Sequence, residues 1–249
     1  MLEVKNLSKE FIDAFGIKKI LFKNVSLRVY DKKITSVIAP IGAGKTSLLK
    51  IISGFDKEYS GEIKHNINNK IFFIPSIPMS FPWLNVKENV LFGLENFDEK
   101  KYKEIIELVG LDGYDLHIPN NKSYGFRLRI LLAQALMRES SIILLDEPFS
   151  KLDYKTKNEL YSLIIDINKK LNVSFLLATT NITEALLLSD NIFLMKREPG
   201  QIINEIENKA DKSDFFSYLK SQEFLRKREE IINSFKSLDI SNIFSDLIV

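Results

Sequence analysis

The run Ser36-Val-Ile-Ala-Pro-Ile-Gly-Ala-Gly-Lys-Thr-Ser-Leu-Leu49 constrains this chain more than any other stretch. A short β-branched segment, 34–39, leads into glycines at 42 and 44. Apolar residues at helical spacing follow and stop at Gly54, so the pattern is a buried strand turning into a helix. Successive backbone N–H groups in such a turn make an anion site, and the helix dipole reinforces it. Gly42 and Gly44 let the backbone approach a phosphate, Lys45 can reach the β and γ oxygens, and the Thr46 hydroxyl can ligate Mg²⁺. Ile41, Ala43 and Ser47 complete the expected binding loop. Ala39 stands where the G-x-x-x-x-G-K-[ST] pattern begins with glycine. A β-carbon there is harmless at negative φ and costs about 1–2 kcal/mol in the left-handed region. The loop is therefore expected to hold a nucleotide.

A phosphate loop needs a carboxylate on a neighbouring strand. Ser141-Ile-Ile-Leu-Leu-Asp-Glu-Pro148 is a continuous apolar run of the kind central parallel strands show, ending in Asp146 and Glu147. Asp146 can hold Mg²⁺ and Glu147 can deprotonate an attacking water. Around this pair the rest of the chain alternates. Segments 2–7 and 21–29 read as paired strands, 71–74, 173–178 and 191–195 as further strands, and 85–110, 127–137, 153–171 and 182–188 as helices, with Asn85 as a cap. From about Lys212 the chain reads as helical, with Phe215, Leu219, Phe224 and Ile231 on packing faces. The fold class that follows is α/β: a P-loop core with a mostly parallel sheet, an antiparallel β subdomain and an inserted helical lobe at about 77–140.

Composition narrows the partners. A net charge of +2 in 249 residues, with no basic cluster, argues against nucleic acid. No cysteine is present, so disulfides and thiolate metal sites are excluded. The start, Met1-Leu-Glu-Val-Lys, carries no charged-then-apolar leader, and no apolar run approaches the ~20 residues that span a bilayer. A chain that is soluble, or held at a membrane through a partner, is expected.

Together these residues resemble the ATP-binding subunits of ATP-binding-cassette (ABC) transporters over about residues 1–205, with 206–249 as a helical extension. Asp146-Glu-Pro-Phe-Ser-Lys-Leu-Asp153 is similar to that family's magnesium strand, catalytic glutamate and following loop. Arg127-Leu-Arg-Ile-Leu-Leu-Ala-Gln-Ala-Leu136 is similar to the helix after its signature loop, and Phe81-Pro-Trp-Leu-Asn-Val-Lys-Glu-Asn-Val-Leu-Phe-Gly93 to the nitrate, sulfonate, taurine and thiamine-precursor importers. The resemblance implies ATP and Mg²⁺ as ligands and Phe11 as the aromatic that stacks on adenine. As partners it implies transmembrane permease subunits, a second ATPase subunit and a substrate-binding protein. The expected place is peripheral, on the cytoplasmic face of the membrane.

Three positions depart from the family's pattern. Lys122-Ser-Tyr-Gly-Phe126 falls on the signature loop, where Ser123 and Gly125 match and Tyr124 replaces a glycine; Asp146 follows Ser123 by 23 residues, a spacing the family uses. Thr180 stands where the family has a switch histidine. Ser76 stands where a glutamine is usual. The two histidines, His65 and His117, both precede Asp146 and read as solvated loop residues. Turnover is therefore expected to be slow, and a regulatory nucleotide-binding subunit is the alternative. A chromosome or DNA-repair ATPase would need a long insert between the two loops, but only 78 residues separate Lys45 from Ser123.

Overall fold

The computed structural model describes residues 1–12, 15–66, 69–119, 123–209 and 214–236. Two strands, β1 (Leu2–Ile12) and β2 (Lys18–Val29), pair antiparallel, and β4 (Ser60–His65) joins β1 on its other edge. Their inward residues, Leu2, Val4, Leu7, Phe22, Val25 and Leu27, bury one face of this small sheet against the larger one.

The larger sheet has the order β5-β6-β7-β3-β8-β9, formed by β3 (Ile34–Ile38), β5 (Ile71–Ile74), β6 (Ile142–Asp146), β7 (Ser174–Thr179), β8 (Asn191–Lys196) and β9 (Gln201–Glu207). Every pairing but β8 with β9 is parallel. Strands β3, β6 and β7 are buried throughout, the polar Thr35 and Ser36 of β3 included, which is why none of them alternates between apolar and charged residues. Register decides the rest: Ile38 lies beside Thr179, and Asp146 beside Ala178. The carboxyl ends of three neighbouring strands thus open on one edge, where ligands bind in open α/β sheets.

Helices α1 (Lys45–Ile52), α5 (Tyr154–Leu171) and α6 (Ile182–Leu188) follow β3, β6 and β7, while α2 (Val86–Leu91), α3 (Glu99–Leu108) and α4 (Tyr124–Met137) form the lobe. Asn85 caps α2 with a reciprocal bond to Glu88. At the end, α7 (Phe215–Leu219) and α8 (Gln222–Lys236) pack through Tyr218, Phe224, Ile231 and Phe235.

The structure corrects the sequence reading in four places. β4 and β9 were not expected, because Ser60–His65 is mostly exposed and β9 alternates weakly. His65 ends β4 instead of sitting in a loop. The helix expected from 127 begins at Tyr124, since the Ser123 side chain accepts the Phe126 N–H and starts it three residues earlier. The boundary expected at 205/206 falls inside β9. Lys122 and residues 237–249 lie outside the described residues.

Candidate active site

The phosphate loop joins β3 to α1. Ala39 is fully buried, its N–H donates to Thr179 O at 3.3 Å, and it is absent from the non-glycine residues with positive φ. The missing glycine therefore has no conformational consequence. At Gly44 the requirement is real: φ is +97°, and a β-carbon would stand 2.8 Å from Phe22 Cδ1. Gly44 also caps α1 with no side-chain bond, and no acid stands in the first turn, so no capping side chain competes with an anion for the first-turn N–H groups.

Five predicted residues meet at this edge. Lys45, 7% exposed, donates from Nζ to Ala39 O at 2.8 Å and Pro40 O at 3.2 Å, and pairs with Glu147 Oε1 at 3.2 Å. Thr46 Oγ1 donates to Asp146 Oδ2 at 2.8 Å. Glu147 Oε2 accepts from the Thr180 N–H at 3.2 Å and from its hydroxyl at 3.5 Å. Glu147 itself has φ +43°, an unfavourable conformation for a residue with a β-carbon, held by its N–H on Ala178 O at 2.9 Å. Its backbone strain thus sits in the residue whose side chain faces the loop.

The donor set fits Mg²⁺. Asp146 is 2% exposed, and its Oδ1 is a buried oxygen with no hydrogen-bond partner, beside the Thr46 hydroxyl. An orphaned buried carboxylate oxygen is costly unless a cation meets it. Burial pushes the Asp146 carboxyl upward, against Thr46, Lys45 and Lys50, which lower it. A carboxyl whose proton affinity is higher folded than unfolded weakens the fold while it is ionised, and acidification relieves that cost. Asp146→Asn keeps the shape and is expected to raise the melting temperature of the nucleotide-free chain by a few degrees, while abolishing the further rise that MgATP gives. Thermal melts of both proteins with and without MgATP check this; a lower melting point for the variant without nucleotide would contradict it.

None of the hydrogen bonds of this cluster reaches Phe11, Ser123 or Gly125. Phe11 lies on β1 opposite Lys19, 42% exposed, at a groove of about 640 Å³ shared with Glu10, Ile20 and Tyr59. Ser123 caps α4. Gly125 is buried where a β-carbon would stand 2.7 Å from Thr156 Cγ2, so close packing of α4 on α5 already requires glycine. The Tyr124 ring is flanked by the Arg127 guanidinium at 4.7 Å and Lys151 Nζ at 5.1 Å. Ile41 and Gly42 are exposed on the loop, Ala43 is buried within it, and Ser47 is half-buried in the first turn of α1.

Two supports escaped sequence reading. A β-carbon at Gly200 would stand 2.4 Å from Ala43 O, so the turn before β9 packs directly on the phosphate loop. Asn89 is buried and anchors the segment before α2, accepting from Phe81 N–H at 2.7 Å and donating to the Phe81 and Leu84 carbonyls. A polar residue on a buried helix face was the available signal for Asn89. For Gly200 the Pro199-Gly200 pair marked a turn, but nothing local marked what that turn packs against.

Comparison with known proteins agrees with this geometry. The family model described as ABC transporter matches residues 22–150. An aliphatic sulfonates import ATP-binding protein of Bacillus thuringiensis subsp. konkukian is 33% identical over 94% of this chain and 96% of its own length. The Bacillus subtilis protein of the same description is 35% identical over 75% of this chain and 77% of its own. A solved dimeric bacterial ABC transporter cassette superposes with a TM-score of 0.72 at 25% identity, over 85% of this chain and all of that one. The structure of part of an ABC transporter complex from Clostridium perfringens superposes with a TM-score of 0.74 at 22% identity and speaks for the fold alone. With phosphate loop, paired carboxylates and sheet order all in place, the chain belongs to the ATP-binding-cassette transporter family.

Proposed function

We propose that this protein is the ATP-binding subunit of a membrane importer, which binds MgATP and hydrolyses it slowly. The observation that carries the reading is the convergence of Lys45, Thr46, Asp146, Glu147 and Thr180 at one edge of the sheet. The names of the relatives favour an importer of the aliphatic-sulfonate kind.

In this reading the loop N–H groups and Lys45 bind the phosphates, with Phe11 stacking on the base. Thr46 and Asp146 would hold Mg²⁺, which when bound neutralises charge developing on the phosphate oxygens. Phosphate engaging Lys45 releases Glu147 Oε1, while Thr180 keeps Oε2 in place. Oε1 then takes a proton from the water whose oxygen joins the γ-phosphorus, and ADP departs. Ser123 and Gly125 would meet the nucleotide of a second ATPase subunit, the same chain or a related one. The Tyr124 side chain in place of the family's glycine and the hydroxyl at 180 instead of an imidazole support slow turnover. The same two features favour the second reading, a nucleotide-binding regulatory subunit with little hydrolysis.

No helix among the described residues is long and apolar enough to cross a membrane. The relatives' names, import ATP-binding proteins, support attachment through permease subunits on the cytoplasmic face, with a substrate-binding protein completing the importer. The docking surface is the aromatic group Phe81, Trp83 and Phe92, whose rings lie 5.6 and 4.3 Å from Phe81, with Trp83 71% exposed. Trp83→Glu is expected to cost about 2 kcal/mol of permease affinity, roughly 30-fold. ATP affinity should not change. Sedimentation with permease-containing membranes and nucleotide titration test the reading together: unchanged membrane binding removes the docking surface, and no MgATP binding by the parent removes the function.

A further inference from the structure

Glu184 is a buried carboxylate that the hydrolysis reading above does not use. It stands in the first turn of α6 and is 3% exposed. Both oxygens are occupied: Oε2 accepts from Thr179 Oγ1 at 2.8 Å, and Oε1 pairs with Lys157 Nζ at 3.2 Å. An apolar residue of similar volume generally packs in such a place at least as well, so a buried ion pair is poorly explained by stability alone.

What it touches gives it a role. The Thr179 hydroxyl donates to Glu184 and accepts the Asn181 N–H at 3.0 Å, while Asn181 Oδ1 accepts the Glu184 N–H at 3.1 Å. These bonds close a small ring around residue 180, and from that residue the backbone N–H reaches Glu147 Oε2. Lys157 lies on α5, whose cap, Asp153, ends the segment that begins with Glu147. One buried carboxylate therefore joins the loop that donates to Glu147 to the helix following it.

We infer that Glu184 is a positioning residue: through Thr179 it sets the Thr180 N–H that orients Glu147, and through Lys157 it ties that N–H to the segment 147–153. The inference rests on Glu147 being the general base. A displacement of about 1 Å in a reacting group can lower a rate ~10²-fold without affecting binding. The test uses the full chain, with single-turnover ATP hydrolysis and MgATP affinity measured for the parent, Thr179→Val, Thr179→Ser, Glu184→Ala, Glu184→Gln and Glu147→Gln. Thr179→Val and Glu184→Ala are expected to lower the rate ~10–100-fold with affinity within about threefold of the parent. Thr179→Ser, which retains the hydroxyl, should recover most of the rate, and Glu184→Gln, which keeps the acceptor but not the charge, should fall between. Because Glu184→Ala can also weaken folding, Thr179→Val decides. Parent-like turnover by Thr179→Val, or loss of affinity in proportion to rate, overturns the proposal while leaving the base in place. If Glu147→Gln turns over like the parent, the base assignment fails and the positioning role falls with it.

Discussion

Glu147→Gln is expected to lower single-turnover hydrolysis by ~10²–10⁴, the range for removing a positioned general base. The parent should itself be slow. At Glu147 Oε2 the structure offers the Thr180 N–H and hydroxyl, but position 180 has no imidazole to stabilise charge developing on the γ-phosphate. Losing one preorganised donor of that kind costs ~10²–10³ in rate. Thr180→His is accordingly expected to raise the rate in the parent and to leave Glu147→Gln no faster, since effects within one constellation do not add. The four proteins, assayed with their membrane partner, form a cycle. Fast turnover by the parent would mean that Thr180, or its neighbour Asn181, already makes the γ-phosphate contact.

Lys45→Ala is expected to weaken MgATP binding ~10–100-fold, because a hydrogen bond to a charged group is worth about 1.5–3 kcal/mol. The change also leaves the Ala39 and Pro40 carbonyls and Glu147 Oε1 without the cation they now share. Ala39→Gly should bind MgATP within about twofold of the parent, yet be less stable by roughly 0.5–1 kcal/mol from the added backbone freedom in its unfolded chain. Nucleotide titration and denaturant unfolding of the two variants separate the effects. ATP binding by Lys45→Ala as tight as the parent's would remove the phosphate-loop assignment.

Much of this protein was legible along the chain because its central chemistry is local. A strand, two glycines, a lysine and a threonine within a dozen positions dictate a turn that exposes N–H groups, and the unbroken apolar run ending at Asp146 dictates a central strand. Helices with their own caps, such as α2 behind Asn85 and α5 behind Asp153, were readable for the same reason. Strands β4 and β9 were not, since exposed edge strands have little pattern of their own and are defined by the partner they pair with. Tertiary structure alone decided that Ala39 is harmless, because φ depends on the whole loop, and that Glu147 is strained and held between Lys45 and Thr180, residues far apart in sequence. It alone brought Gly200 beneath Ala43 and Glu184 between Thr179 and Lys157. Which residue types can do the chemistry is a property of short segments; where a carboxylate points, and what it must leave to act, is set by strand register and by packing between segments that sequence spacing does not encode.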